Sequence, residues 1–438
     1  MADDKPIQLH PTGPSPAQAR EQARLHPLPW HWQTLLAAPH RLAFFAAALV
    51  MSASAVWWAI ELVGRALGGA SLATAVPATF VHAVVMSLGF MPLFFCGFLF
   101  TAGPKWLKQP EVSARQILMP VQAMALGWMT LLLGASLHHG LAAVGVGLAA
   151  AGWGALTWRF GRMVRNSRVP DRLHAKVVGA ASALGVVLMG VVAIGLASQW
   201  YAGVRLAALL ALWCFIVPVY LSVAHRMIPF FSASALPALD AWRPFWLLWT
   251  LLGAAALQGL WILAGALGVA TLPGLLWVKA LTSAAAGLAV LALAVRWGLM
   301  QSLRIRLLAM LHIGFVWLGV ALSLDAVAVV WQQAGNPGAS LLPLHALTMG
   351  FLASVLVAMA TRVSCGHSGR TLAADNLAWG LFWGLQVATV LRLLAILWPA
   401  ASPYLLAGGA VTWCLVLGGW SLRYGRWFGQ ARVDGRPG

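Results

Sequence analysis

The sequence predicts an all-α, polytopic membrane protein with twelve transmembrane helices and both termini in the cytoplasm. Three observations carry this reading. Of 438 residues, 61% are apolar and only 9% charged, whereas soluble domains run at about 45–50% apolar and about 25% charged. The apolar residues fall into long runs, and about 20 such residues cross a bilayer core as a helix. Lys and Arg gather between those runs on one side. The same composition excludes disorder, which combines low hydrophobicity with high net charge.

Residues 1–42 carry Pro and charge but no apolar run and no cleavable leader pattern, so they read as a cytoplasmic N-terminal tail, flexible as far as His31 and Trp32. The membrane domain is expected over 43–422. Its spans fall at about 43–67, 77–102, 118–138, 140–158, 175–197 and 204–224 in the first half. The second half places them at about 243–267, 273–294, 307–333, 341–361, 376–398 and 402–422. The third and fourth are nearly contiguous and read as a tight hairpin. Residues 423–438 form a cytoplasmic C-terminal tail.

Orientation follows from the basic residues. With both termini inside, cytoplasmic segments hold 24 of the 28 Lys and Arg, as the positive-inside rule requires. The densest stretch follows the fourth span, with Arg159, Arg162, Arg165, Arg168, Arg172 and Lys176. Only Arg65, Arg205, Lys279 and Arg392 fall on the outer side or within the membrane. The net charge of +18 therefore belongs to cytoplasmic loops, and no nucleic-acid interface is expected. Short loops without a G-x-x-x-x-G-K-[ST] sequence exclude a pump carrying its own ATPase. The lack of extended outer loops argues against a receptor head. Cys96, Cys214, Cys365 and Cys414 show no C-x-x-C spacing, which suggests core thiols rather than a disulfide framework or thiolate metal site. Many of the 24 Trp lie near span ends, where interfacial belts form. Pro92, Pro120 and Pro218 imply kinks, and Gly97, Gly103 and Gly350 permit close helix approach.

An ionisable side chain inside a span is a functional candidate by default, because burying it in hydrocarbon is expensive. His82 and His345 lie four to five residues into the second and tenth spans, which run in the same direction. At about 1.5 Å per residue, both sit within about 10 Å of the outer end of the apolar slab. Lys279, Arg392, Asp325 and Glu61 share this outer layer. A second layer at the cytoplasmic face holds His40, His225, His312 and His367, with Arg226, Arg362 and Arg370. His138 and His139 fall in the outer hairpin turn.

Neutral imidazole is the commonest metal ligand, and haem iron is held axially by His. Two His on different helices at matched depth can sandwich a haem, with Lys279 and Arg392 pairing its propionates. The plainer alternative is that each His donates to a neighbouring carbonyl, while Lys279 or Arg392 pairs with Asp325. His225 and His312, with His40 or His367, are the candidates for a second metal site. Residues 81–90, VHAVVMSLGF, and 344–351, LHALTMGF, also resemble one another. Each puts Met four residues after its His, on the same helix face, and Met is a soft ligand suited to copper.

These segments are similar to the NnrS family, bacterial inner-membrane proteins of twelve spans associated with the nitric oxide response and described as containing haem and copper. The likeness rests on His40-Arg41, HAVVMSLGF (82–90), GFLFTAGPKW (97–106), HRMIPFF (225–231), LHIGFVWL (311–318) and HALTMGFLASVLVAMATRVSCGHSGR (345–370). The last is the most specific, with Arg362, Gly366, His367, Gly369 and Arg370 in the family's order. The second span departs from the family's H-A-H-E-M pattern, because Val84 and Val85 stand in place of the second His and the Glu. If the family's copper depends on those side chains, this chain holds haem alone. A looser likeness is to the haem-copper oxidases, which hold a low-spin haem between their second and tenth spans. Their copper-site His in the sixth span and the His pair after it are not reproduced.

The resemblance implies a multi-pass protein of the bacterial inner membrane that binds haem, with copper as a second cofactor, and protects against nitric oxide. Glu61 and Asp325 are the only embedded acids, which argues against a proton-consuming reductase of many turnovers. The alternative is a secondary transporter of a small solute without a redox cofactor. A transporter calls for broken helices, midplane charges and similar halves, whereas here the charges avoid the midplane.

Overall fold

The computed structural model describes residues 28–436, apart from 70, 71, 73, 270 and 271. Twelve helices are long and apolar enough to cross a membrane. In the first half they are Pro39–Ala66, Ala78–Leu107, Ala114–Leu137, His139–Asn166, Leu173–Ala197 and Tyr201–Ala235. In the second half they are Phe245–Ala266, Gly274–Arg296, Arg306–Gln333, Gly338–His367, Asn376–Leu397 and Pro399–Phe428. The number and order match the sequence expectation, and several helices outrun it at the basic ends. Hydropathy marks the lipid slab, while the backbone hydrogen-bond ladder continues beyond it. The sixth helix, with 35 residues, is about 50 Å long against a core of about 30 Å.

The tails also differ from expectation. Residues 1–27 lie outside the described residues. From there the chain is not a loose tail: Trp30 forms an antiparallel bridge with Gln430, and His31 N donates to Gly429 O at 2.8 Å. Trp32–Ala37 is a 3-10 helix leading into the first span at Pro39. At the other end the last helix runs to Phe428, six residues beyond the expected boundary at 422. The two ends of the described chain therefore lie on the same side of the bundle.

The third and fourth spans form the expected hairpin, separated only by His138. His138 Nδ1 accepts from Gly140 N at 3.0 Å and caps the fourth helix, so His138 serves the turn. The two backbones touch: a Cβ built on Gly145 would lie 2.5 Å from Leu131 N and from Gly127 O.

Three spans differ from the rest. The second, sixth and tenth each contain a π-helical segment, at Val85–Gly89, Leu212–Ile216 and Ala346–Ala353. They are also the most enclosed, with 83, 61 and 72% of their apolar windows buried against 33–56% for the other nine. A π turn takes one extra residue per turn and recurs at functional sites. Two of the three segments follow directly on His82 and His345. Gly350 lies within the tenth-span segment, where a Cβ would stand 2.5 Å from the Trp317 ring.

Candidate haem site

The second and tenth helices carry their histidines into the bundle and against one another. The His82 and His345 rings are nearly parallel, 12° apart in plane, with centroids 6.5 Å apart. Both were expected at this depth, and the rotation that brings the two rings within 6.5 Å of one another is supplied by packing. His345 Nδ1 donates to Leu341 O at 2.9 Å. In a neutral ring this leaves Nε2 with the lone pair, the arrangement in which a metal-binding His is usually held. His82 is fixed differently. The Trp58 ring stacks on it at 4.0 Å and 19°, and its buried Nδ1 has no hydrogen-bond partner.

Trp58 is itself steadied from the outer side. Arg65 lies over it at 5.8 Å and pairs with Glu61 at 2.8 Å. The second oxygen of Glu61 accepts from Leu72 N at 2.8 Å. Glu61 thus organises the outer rim, and Trp58 is a residue of this site that depth and charge in the sequence did not flag.

The two candidate cations have different fates. Arg392 is close enough to both rings to act on them electrostatically, and no hydrogen bond or ion pair engages it among the described residues. Lys279 instead pairs with Asp325 at 3.2 Å. Asp325 also accepts from Ser283 Oγ at 2.8 Å, and Ser283 from Gln258 Nε2 at 2.9 Å. Asp325 is the nearer and better counter-ion, so the plainer reading holds for Lys279.

The inner histidines separate into two pairs and a single ring bonded to a serine, rather than one ligand set. The His40 and His367 rings are 4.3 Å apart. His225 Nε2 donates to Pro244 O at 3.1 Å, which leaves Nδ1 to accept from His174 Nε2 at 3.0 Å. His312 Nε2 is bonded to Ser232 Oγ at 2.8 Å. His225 and His312, expected to share a metal site, each take a different hydrogen-bond partner, and the Trp297 ring lies 6.4 Å from His225. His174 falls one residue before the expected start of the fifth span, so depth could not single it out. Among the described residues, no group of three or more His, Cys, Asp or Glu side chains is placed to hold a metal ion. Val84 and Val85 are buried in the core and offer no donor.

A family model described as NnrS protein matches residues 34–432, from the 3-10 helix before the first span to the strap beyond the last. The chain belongs to the NnrS family. The match takes in both layers of histidines and all twelve spans. No curated protein matches the chain.

Proposed function

We propose that this NnrS-family protein holds a haem between His82 and His345 and serves in protection against nitric oxide at the bacterial inner membrane. The spacing of these two nearly parallel rings, 6.5 Å between centres, carries the reading. Two imidazoles that each reached one metal at about 2 Å would have centres about 6 Å apart. The donor set also fits. His345 offers Nε2 because Leu341 takes its Nδ1 proton. Arg392, without a carboxylate of its own, supplies a cation for a propionate that could not otherwise be buried cheaply.

Bound haem would supply an iron centre able to exchange electrons with a small ligand such as nitric oxide. The chain's own residues do the rest. Leu341 O fixes the tautomer of His345, Trp58 fixes the plane of His82, and the enclosed second and tenth spans exclude water. Among the described residues the inner imidazoles meet at most in pairs, and no group of three His, Cys, Asp or Glu donors is placed to hold copper.

The test is spectroscopic. Purified, detergent-solubilised protein is expected to show a Soret band, and His82→Ala and His345→Ala are each expected to abolish or shift it. An unchanged spectrum in either variant removes that residue from the iron. A preparation from cells well supplied with haem that lacks any Soret band refutes the reading and favours the transporter.

A further inference from the structure

We propose that the pocket lined by His40 and His367, at the end of the bundle where both ends of the described chain lie, binds one small inorganic anion of halide size. The pocket is about 10 Å³, lined by His40, Arg41, Ser364, His367 and Ser368 and closed by the last turn of the twelfth helix. That volume takes about one water-sized occupant, which excludes sulfate and phosphate.

Unmade hydrogen bonds at the pocket point to an occupant. Arg41 and Ser364 are each 2% exposed, yet Arg41 Nε and Ser364 Oγ have no partner. Buried donors are nearly always satisfied in folded proteins. Arg41 Nη1 is engaged, donating to Phe428 O at 3.0 Å and Gln430 O at 2.6 Å. The unpartnered Nε of that same guanidinium remains on a residue that lines the pocket.

Charge decides between an anion and a metal cation. The charged groups acting on the two rings are Arg41, Arg432 and Lys105, all cations. Arg432 is matched by Asp434 at 2.6 Å. Arg41 and Lys105 have no carboxylate partner among the described residues. Two imidazoles would suit a metal, but the cations beside them outnumber the carboxylates among the described residues, which repels a divalent ion and attracts an anion. A neutral imidazole can turn an N–H toward an anion. Water would satisfy the donors and leave the charge unmatched.

The pocket joins the start of the first helix, the end of the tenth and the end of the twelfth. An anion there would staple both chain ends to the bundle, so its binding should raise thermal stability. The experiment uses the full chain in detergent, in sodium gluconate, with chloride or bromide substituted at constant ionic strength. The melting temperature, read by tryptophan fluorescence, is expected to rise saturably with either halide. Crystals grown in bromide are expected to show an anomalous peak in the pocket, beside the His40 and His367 rings and within reach of Ser364 and Arg41. Ser364→Ala is expected to raise the half-saturating chloride concentration about tenfold, the usual cost of one hydrogen bond to a charged group, with the Soret band unchanged. Equal melting temperatures in gluconate and chloride overturn the proposal. So does a pocket peak without bromide signal, which is a water, or a transition metal found bound to the His pair.

Discussion

What a buried histidine can do depends on which of its nitrogens is already engaged. His345 gives Nδ1 to a carbonyl of its own helix and keeps Nε2. His225 gives Nε2 to Pro244 and turns Nδ1 to His174. His138 uses Nδ1 to cap a helix. These roles were not readable from residue type and depth, because depth fixes distance along the helix and leaves rotation and partner open. A carboxylate gives a sharper test at this scale. The hydrogen bonds from Arg432 hold the Asp434 carboxyl down to about 2, from an ordinary value of 3.8. A carboxyl lowered on folding contributes stability above its unfolded value, and that contribution is lost as pH falls through the folded one. The C-terminal strap, tied to the tenth helix by Val433 N to Ser368 O at 3.1 Å, is therefore expected to loosen between about pH 4 and pH 2. Hydrogen exchange at residues 429–436 reads this directly. Asp434→Asn should show fast exchange already at neutral pH and lose the acid step.

At the scale of elements, the sequence was most informative about the helices themselves. Runs of apolar residues marked all twelve, since each must present about 20 of them to lipid. The runs said little about helix ends, which is why the sixth, tenth and twelfth continue into basic sequence. They gave no sign of the π segments after His82 and His345, whose extra residue per turn leaves composition unchanged. The hairpin of the third and fourth spans was legible in its one-residue connection. Its basis is glycine: Gly145 lies against Gly127 O and Leu131 N, both 2.5 Å from a built Cβ. Gly145→Val should force the pair apart and cost at least about 1–3 kcal/mol, the usual penalty of overpacking. Gly147, one position along the same helix from Val146, has no atom within 4 Å of a built Cβ. Gly147→Ala should leave the melting temperature within about a degree of the parent, a surface change being worth about 0.5 kcal/mol at most. If both variants melt alike, backbone contact is not what holds the hairpin.

At the scale of the whole molecule, the second, sixth and tenth spans form an enclosed core with nine helices around it. His82 of the second faces His345 of the tenth, and Tyr220 of the sixth packs against Phe95 of the second and Phe351 of the tenth at 5.5 and 5.7 Å. Even spacing of these three along the chain is compatible with an even number of crossings, and the bridge between Trp30 and Gln430 requires one. The two ends of the described chain thus share a side, and the positive-inside rule predicts that it is the cytoplasmic one. Arg162 and Arg165 in the last turns of the fourth helix and Arg168 just beyond it lie at the end of the bundle where both ends of the described chain lie, and are exposed there. Retaining such a cluster in the cytoplasm is the rule for short loops. Single cysteines decide the matter, since the native thiols are wholly or partly buried. Arg168→Cys should react with a membrane-impermeant maleimide in inverted vesicles and resist it in intact spheroplasts. Ser198→Cys, exposed in the turn between the fifth and sixth spans, should do the opposite. The reverse pattern would place His82 and His345 near the cytoplasm, and a haem there would meet nitric oxide from within the cell.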